Sequence, residues 1–302
     1  MKQIQSKINW IDVVNPKQAD IDYLASHFKF HPLILSELIP VSSRSKVEIY
    51  DGYLFIVHYL PVYNTECQTS QPTEIDFLVT KNTVITVRYS RIEPIDQLFA
   101  KMEKDLSSQE QFMNRTTGHL LYEILEGGLN FSLRQLTHIT EKIQKAEELI
   151  FKGKEKEMIK EISIIKRDIL DQRQITRPQK SILESLLVKG VKFFGKDIEI
   201  YFNDLLGDYE KIWDALDNLK ETAEALEATN NTLFESKMNE IMKLLTIMAF
   251  ITFPLSLFSN IFSMNTRYTP LVELINGFWI IIVIMLLISF GFFIWFKIKK
   301  WL

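Results

Sequence analysis

Apolar residues are unevenly distributed along the chain, and two long uncharged apolar segments occupy residues 244–262 and 278–296. An α-helix rises about 1.5 Å per residue, so each segment is long enough to cross a hydrocarbon core of roughly 30 Å. Trp279 and Trp295 lie near the two ends of the second segment, where indole rings favour the membrane interface. A buried hairpin of a soluble protein is the alternative, but two such segments with basic flanks favour transmembrane helices.

The charges around these segments predict how the chain crosses the membrane. Lysines precede the first segment and follow the second: Lys237, Lys243, Lys297, Lys299 and Lys300. The short connection, residues 263–277, carries a single arginine and a single glutamate. By the positive-inside rule, both termini and the basic tail, residues 297–302, lie in the cytoplasm, and the connection is an external loop. The sequence therefore predicts a multi-pass protein of the cytoplasmic (inner) membrane, with the lipid bilayer as a partner.

Residues 1–110 combine patterns of strands and helices. Three runs rich in β-branched and aromatic residues are typical of strands: Tyr53–Val62, Asp76–Val79 and Val84–Tyr89. Residues 81–83, between the last two runs, suit a hairpin turn. Helices are predicted over residues 16–28 and 94–106, each with a proline in its first turn. These patterns predict a cytoplasmic α/β domain.

Beyond residue 110 the pattern becomes helical. Residues 111–196 predict a helical arm in which Gly153 lies at the turn between two long antiparallel helices, whereas Gly190 and Gly195 bracket a break. A stalk helix is predicted over residues 197–243, and it continues into the first apolar segment because no proline or strand signal interrupts it. The fold class is therefore α+β, with two C-terminal transmembrane helices.

The predicted stalk carries a seam of apolar residues spaced alternately four and three apart, the heptad pattern of coiled coils. The seam consists of Leu205, Tyr209, Ile212, Leu216, Leu219, Ala223 and Leu226. A seam of this kind has to be covered by other helices. The sequence leaves two partners open, other copies of the chain and the arm helices of the same chain, and both can hold on different faces.

Composition and isolated motifs exclude several classes of protein. The 302 residues include 35 basic and 38 acidic ones, so no basic excess points to nucleic acid. A single cysteine, Cys67, excludes an internal disulfide and a multi-cysteine zinc site. His27 and His31 have the spacing of helical metal ligands, but Pro32 disfavours a helix at His31 and no third ligand is near. No Walker-type loop or nucleophile–base set indicates an enzyme or an organic cofactor.

Several motifs, in order along nearly the whole chain, carry a resemblance to a known family. The motifs are His31-Pro-Leu, Glu74-Ile-Asp-Phe, Tyr201-Phe-Asn-Asp-Leu-Leu-Gly-Asp-Tyr, Asn239-Glu-Ile-Met-Lys-Leu-Leu-Thr, Phe253-Pro-Leu-Ser, Ser263-Met-Asn and the final Lys299-Lys-Trp-Leu. They resemble the CorA family of magnesium and cobalt transporters. The resemblance implies a homopentameric funnel in which the first membrane helix lines a central pore and continues into the cytoplasmic stalk. The second membrane helix surrounds the first.

The resemblance also implies a selective entrance at Ser263, Met264 and Asn265, where the family signature reads Gly-Met-Asn. Asn265 is retained, and its carboxamide is the expected ion-facing group. The serine leaves alternatives to transport of Mg²⁺, Co²⁺ or Ni²⁺ open: a zinc transporter of the ZntB type, or a non-conducting scaffold or sensor of the same fold. Ala228 stands where many relatives carry an acidic residue low in the stalk.

Steps of three or four residues back from Asn265 define a stripe that the resemblance places along the pore. The predicted pore-lining residues are Asn239, Met242, Leu245, Phe253, Ser256 and Asn260. The stripe has no charge, so a divalent ion would pass hydrated or partly hydrated, since full dehydration without a carboxylate is costly. The apolar members of the stripe would form hydrophobic constrictions. A packed helix face, or hydrogen bonds between membrane helices, is the alternative.

Two acidic residues in the stalk are the candidate regulatory metal ligands. Asp204 matches a position where the family binds regulatory Mg²⁺, and Asp208 lies one helical turn further on. The alternative is a solvated helix face. The metal ions expected with this chain are therefore transported divalent cations and, at Asp204 and Asp208, a regulatory Mg²⁺.

Overall fold

The computed structural model describes residues 1–39, 42, 44–264 and 275–299. Asn265, most of the predicted external loop and the end of the predicted basic tail lie outside these ranges. The chain divides into two compact units, Met1–Ala228 and Thr229–Leu302, and each unit is described by itself.

A six-stranded sheet forms the centre of the first unit. Its strands are β1 (Lys2–Gln5), β2 (Asn9–Val14), β3 (Lys46–Tyr50), β4 (Tyr53–Asn64), β5 (Thr69–Thr80) and β6 (Thr83–Arg88). Their order is β1-β2-β6-β5-β4-β3, with β2 and β6 parallel and every other neighbouring pair antiparallel. The three strand-like runs of the sequence correspond to β4, β5 and β6, which form the middle of the sheet.

Two short helices cover one face of this sheet. They are α1 (Gln18–His27) and α2 (Pro32–Glu37), and they enclose a core that includes Leu24, Ile34, Phe55, Leu78 and Val87. Pro16 precedes the N-cap Lys17 of α1, so the prediction that Pro16 lies in the first turn is wrong. His31 is the extended N-cap of α2, as Pro32 requires.

Five helices account for the rest of the first unit up to residue 194. They are α3 (Glu93–Lys104), α4 (Leu106–Met113), α5 (Thr117–Phe151), α6 (Glu155–Thr176) and α7 (Gln179–Phe194). Gly153, with a positive φ of 84°, lies between α5 and α6 at the predicted turn. Pro94 lies in the first turn of α3, also as predicted.

Gly190 does not break a helix, contrary to the sequence-based expectation. It lies inside α7, and a Cβ at this position would stand 2.4 Å from a ring carbon of Phe202. The glycine therefore permits close packing of α7 against the Phe202 ring. Gly195, with a φ of 100°, is the residue at which α7 ends.

The following helix, α8 (Glu199–Ser263), contains both the predicted stalk and the first apolar segment. In the first unit its apolar seam is buried between Leu205 and Leu226, with Leu219 half-buried. Arg173 of α6 forms an ion pair with Asp217, and Lys166 of α6 lies 2.5 Å from a carboxylate oxygen of Glu227. The seam is thus covered by helices of the same chain.

The second unit consists of the rest of α8 and α9 (Gly277–Ile298). Both helices are long and apolar enough to cross a membrane, and only 6% of each apolar window is buried. A helix from the core of a soluble protein would be mostly buried, so the exposure argues against that alternative for both helices. Phe250 of α8 contacts Phe296 of α9, with ring centroids 6.5 Å apart.

Candidate functional site

Three carboxylates meet on the surface of the first unit and form a candidate cation site. Asp204 and Asp208 lie one turn apart on α8, and Glu126 joins them from α5. One oxygen from each residue lies within 4.8 Å of the others. The structure therefore brings the two predicted metal ligands together, and it adds Glu126, which the sequence analysis missed.

The surroundings of this acidic triad (Glu126, Asp204 and Asp208) orient its members. The Tyr122 hydroxyl donates to an Asp204 carboxylate oxygen at 2.8 Å, and the Lys211 ammonium pairs with Asp208 at the same distance. Partial burial raises the pKa of Glu126, and the negative charges of Asp204 and Asp208 raise it further. The triad therefore holds more negative charge than its neighbours compensate.

The donor set of the triad suits a hard divalent cation. Mg²⁺ and Ca²⁺ prefer carboxylate oxygens, and bound Mg²⁺ usually retains several water molecules. The Asp208 side chain is 13% exposed and Asp204 is exposed, so solvent can complete the coordination shell. A divalent cation bound by these three residues would remove the mutual repulsion of the carboxylates.

A second candidate site is the exposed stripe of α8 in the second unit. The residues predicted to line a pore are all exposed: Asn239, Met242, Leu245, Phe253, Ser256 and Asn260. The least exposed face of the same helix segment contains Ile247, Ile251, Pro254 and Phe258. A helix turns by about 100° per residue, so the predicted stripe lies on the side opposite that face. Whether this stripe lines a pore stays a prediction.

The predicted entrance is described only in part. Ser263 is the last residue of α8, and its hydroxyl donates to the Asn260 carbonyl oxygen at 3.2 Å. Its backbone is helical, a conformation that serine adopts without the freedom of glycine. Met264 is exposed, and Asn265 lies outside the described residues. The serine at the first motif position is therefore compatible with the local fold.

His27 and His31, which the sequence argues against as metal ligands, make other contacts. His27 stacks on Tyr23 with ring centroids 4.0 Å apart, and the His31 Nδ1 accepts from the Leu33 amide at 3.2 Å. These contacts give both histidines a structural role.

Comparisons with known proteins agree with this geometry. Residues 5–299 match the family model described as CorA-like Mg2+ transporter protein. The cobalt/magnesium transport protein CorA of Thermotoga maritima is 26% identical over 295 residues, which cover 97% of this chain and 83% of the relative.

Two solved structures show the same fold. The complete CorA magnesium transporter of Methanocaldococcus jannaschii superposes with a TM-score of 0.83 at 22% identity, covering 100% of this chain and 95% of the other. The full-length CmaX protein gives a TM-score of 0.73 at 15% identity, covering 97% and 88% respectively. The family match extends from β1 to the end of α9. The chain therefore belongs to the CorA-like Mg²⁺ transporter family.

Proposed function

We propose that this protein transports divalent metal cations, Mg²⁺ first and Co²⁺ or Ni²⁺ as further candidates, through a pore across the cytoplasmic membrane. One observation carries the proposal. In a chain that matches a transporter family over nearly its whole length, the uncharged stripe of α8 is exposed and faces away from the helix's least exposed face. Both termini would lie in the cytoplasm, because lysines flank the apolar segments on the terminal sides.

The chemistry of the stripe favours a hydrated ion. Amides and hydroxyls of Asn239, Ser256 and Asn260 can hydrogen-bond water in the shell of the ion, whereas no carboxylate is available to replace that shell. Met242, Leu245 and Phe253 would form constrictions that dewet when the pore is closed. The membrane potential supplies about 4.6 kcal/mol for a divalent ion at roughly 100 mV, since each charge contributes about 2.3 kcal/mol.

Uptake into liposomes tests this proposal directly. Purified full-length protein is reconstituted, and entry of Mg²⁺, Co²⁺, Ni²⁺ and Zn²⁺ is measured separately and in competition under an imposed potential. We expect Mg²⁺ uptake that the other ions compete with. Selective Zn²⁺ uptake would instead assign the ZntB-type function, and an intact oligomer without any uptake would indicate a non-conducting scaffold or sensor.

The first prediction is that the protein assembles as a homopentamer. A single α8 presents the stripe on one face, so several copies are needed to surround a pore, and the family resemblance gives the number. Native mass spectrometry in mild detergent should therefore show the pentamer as the main species. A monomer or a dimer as the main species would contradict the proposed pore.

The second prediction concerns the acidic triad, which we propose binds regulatory Mg²⁺ and stabilises the closed pore. An ion biases a gate only by binding more tightly to one of its two states. Removal of one carboxylate weakens binding, so Asp204→Asn should shift half-inhibition by internal Mg²⁺ upwards roughly tenfold, or about 1.4 kcal/mol. Liposomes preloaded with graded Mg²⁺ measure this shift.

Asp214→Asn provides the matched control, because Asp214 is an exposed acidic residue on the same helix outside the triad. Its inhibition curve should coincide with that of the wild type. If the Asp204→Asn curve coincides as well, the triad does not sense Mg²⁺.

A further inference from the structure

A second group of carboxylates lies inside the first unit, away from the acidic triad. Glu74 and Asp76 are two residues apart on β5, so their side chains point to the same face of the sheet. Both are buried, with exposed fractions of 2% and 0%. In the described part of the chain, neither forms an ion pair with a lysine, arginine or histidine. Two buried carboxylates without a cation are costly.

Around Glu74, the hydrogen-bond acceptors outnumber the hydrogens that the described neighbours donate. The Ser42 amide donates to Oε1 of Glu74 at 2.9 Å. The Tyr59 hydroxyl lies 2.5 Å from Oε2 of Glu74 and also contacts the Ser42 carbonyl oxygen, although it has a single proton to donate. Within the described part of the chain, one of these two acceptors therefore lacks a hydrogen from Tyr59.

At Asp76, too, one hydroxyl lies between two acceptor oxygens. The Tyr89 hydroxyl lies 2.8 Å from Oδ2 of Asp76 and 3.0 Å from the Leu38 carbonyl oxygen, again with one proton for two acceptors. The buried Oδ1 of Asp76 has no hydrogen-bond partner among the described residues. Burial, and then the charge of Glu74, raises the pKa of Asp76 to about 8. An unpartnered carboxylate oxygen beside a second carboxylate is stabilised either by a proton or by a bound cation.

Lys46, a basic residue at the start of β3, is already engaged by two other carboxylates. Lys46 lies 2.5 Å from Glu37 and 3.2 Å from Glu48. Ser42, which contacts Glu74, also lines a cleft of about 740 Å³ together with these two glutamates. The cleft therefore reaches Ser42, whose amide contacts Glu74.

We propose that Glu74 and Asp76 bind a hard divalent cation such as Mg²⁺, Mn²⁺ or Ca²⁺, with the carbonyl oxygens of Leu38 and Ser42 as further ligands. The two negative charges balance the ion. The described residues donate three protons to the six oxygens around the site, which leaves three oxygens to face the cation. The ion would link Leu38 and Ser42 to β5. This assignment is independent of the proposed transport.

Metal counting on the full-length protein in detergent tests the site. Protein stripped with a chelator is titrated with Mn²⁺, and bound Mn²⁺ is counted by electron paramagnetic resonance. Asp76→Asn should bind one Mn²⁺ fewer per chain than the wild type. Asp204→Asn, which removes the same charge from the acidic triad, should keep the ion at Glu74 and Asp76. If Asp76→Asn binds as many Mn²⁺ ions as the wild type, the transport proposal is unaffected, because it does not depend on this site.

Thermal unfolding supplies a second readout. Chelation should lower the Tm of the wild type by more than that of Asp76→Asn. Both proteins lose the ion of the acidic triad, but only the wild type also loses an ion from this site, where the asparagine amide donates the hydrogen that the site lacks. Glu74→Gln should behave in the same way, and it replaces Asp76→Asn if that variant fails to fold. Equal Mn²⁺ counts for wild type and variants would overturn the proposal. An equal loss of Tm on chelation in the wild type and in Asp76→Asn would assign a proton to the site instead.

Discussion

Replacement of Asn265 by alanine should reduce divalent-cation uptake by at least about 100-fold while leaving the oligomer intact. Its carboxamide is the ion-facing group that the family resemblance implies for the entrance of the proposed pore. If each carboxamide contributes about 0.5–1.5 kcal/mol through hydrogen bonds to the hydrated ion, a ring of five contributes several kcal/mol. A factor of ten in rate corresponds to about 1.36 kcal/mol, so the loss should be large.

The matched control for this prediction is Ser263→Gly, which restores the family signature two residues earlier. Ser263 is helical, and among the described residues its hydroxyl bonds to the carbonyl of its own helix turn, so its removal should leave uptake intact or increase Mg²⁺ flux. Initial uptake rates in liposomes, with native mass spectrometry as the check on assembly, provide the measurement. Normal transport by Asn265→Ala would show that the entrance lies elsewhere.

The sequence predicted elements that carry a strong periodic or apolar signal. The apolar segments lie in α8 and α9, and the three β-branched runs form the central strands β4, β5 and β6. It missed β1, β2 and β3. The edge strands β1 and β3 have only four and five residues, with side chains that are mostly or partly exposed, and the charged Asp12 interrupts the apolar run of β2. Edge strands pack on one neighbour only, so their sequences are less constrained.

Tertiary contacts explain the remaining differences. Gly190 resembles a helix breaker in the sequence, and only its distance from the Phe202 ring shows that it serves close packing. The heptad seam predicts that α8 is covered, but the identity of the covering helices depends on how α5 and α6 fold back. Glu126 joins Asp204 for the same reason, since α5 and α8 are far apart in the sequence.

The buried carboxylates Glu74 and Asp76 illustrate a further limit. The sequence shows an ordinary acidic pair within a strand motif, and alternation predicts that the two share a face. Only the structure shows that this face is covered and that hydroxyls of Tyr59 and Tyr89 are shared between acceptors. A site recognised by its lack of hydrogen-bond donors can therefore be identified only once the structure shows which acceptor oxygens lie together.

Replacement of Arg88 by leucine should destabilise the first unit by about 3–5 kcal/mol, the usual cost of breaking a buried ion pair. Arg88 is 1% exposed and Asp12 is 0% exposed. The guanidinium donates to both Asp12 oxygens, at 3.0 and 2.7 Å, and also pairs with Asp96 of α3. Leucine would leave the Asp12 charge buried without its guanidinium partner, although the Thr86 hydroxyl would still donate to one Asp12 oxygen at 2.8 Å. A Tm lower by roughly 10 °C in detergent is expected.

Arg91→Leu is the control for this last prediction, because it removes the same charge from the same region of the chain. Arg91 is 91% exposed and lies 3.9 Å from Asp96, so solvent screens its interaction. Its Tm should match that of the wild type within error. If Arg88→Leu and Arg91→Leu unfold at the same temperature, the pair between β2 and β6 does not stabilise the sheet. A separation of several degrees would show that burial, and not the number of charges, determines the effect.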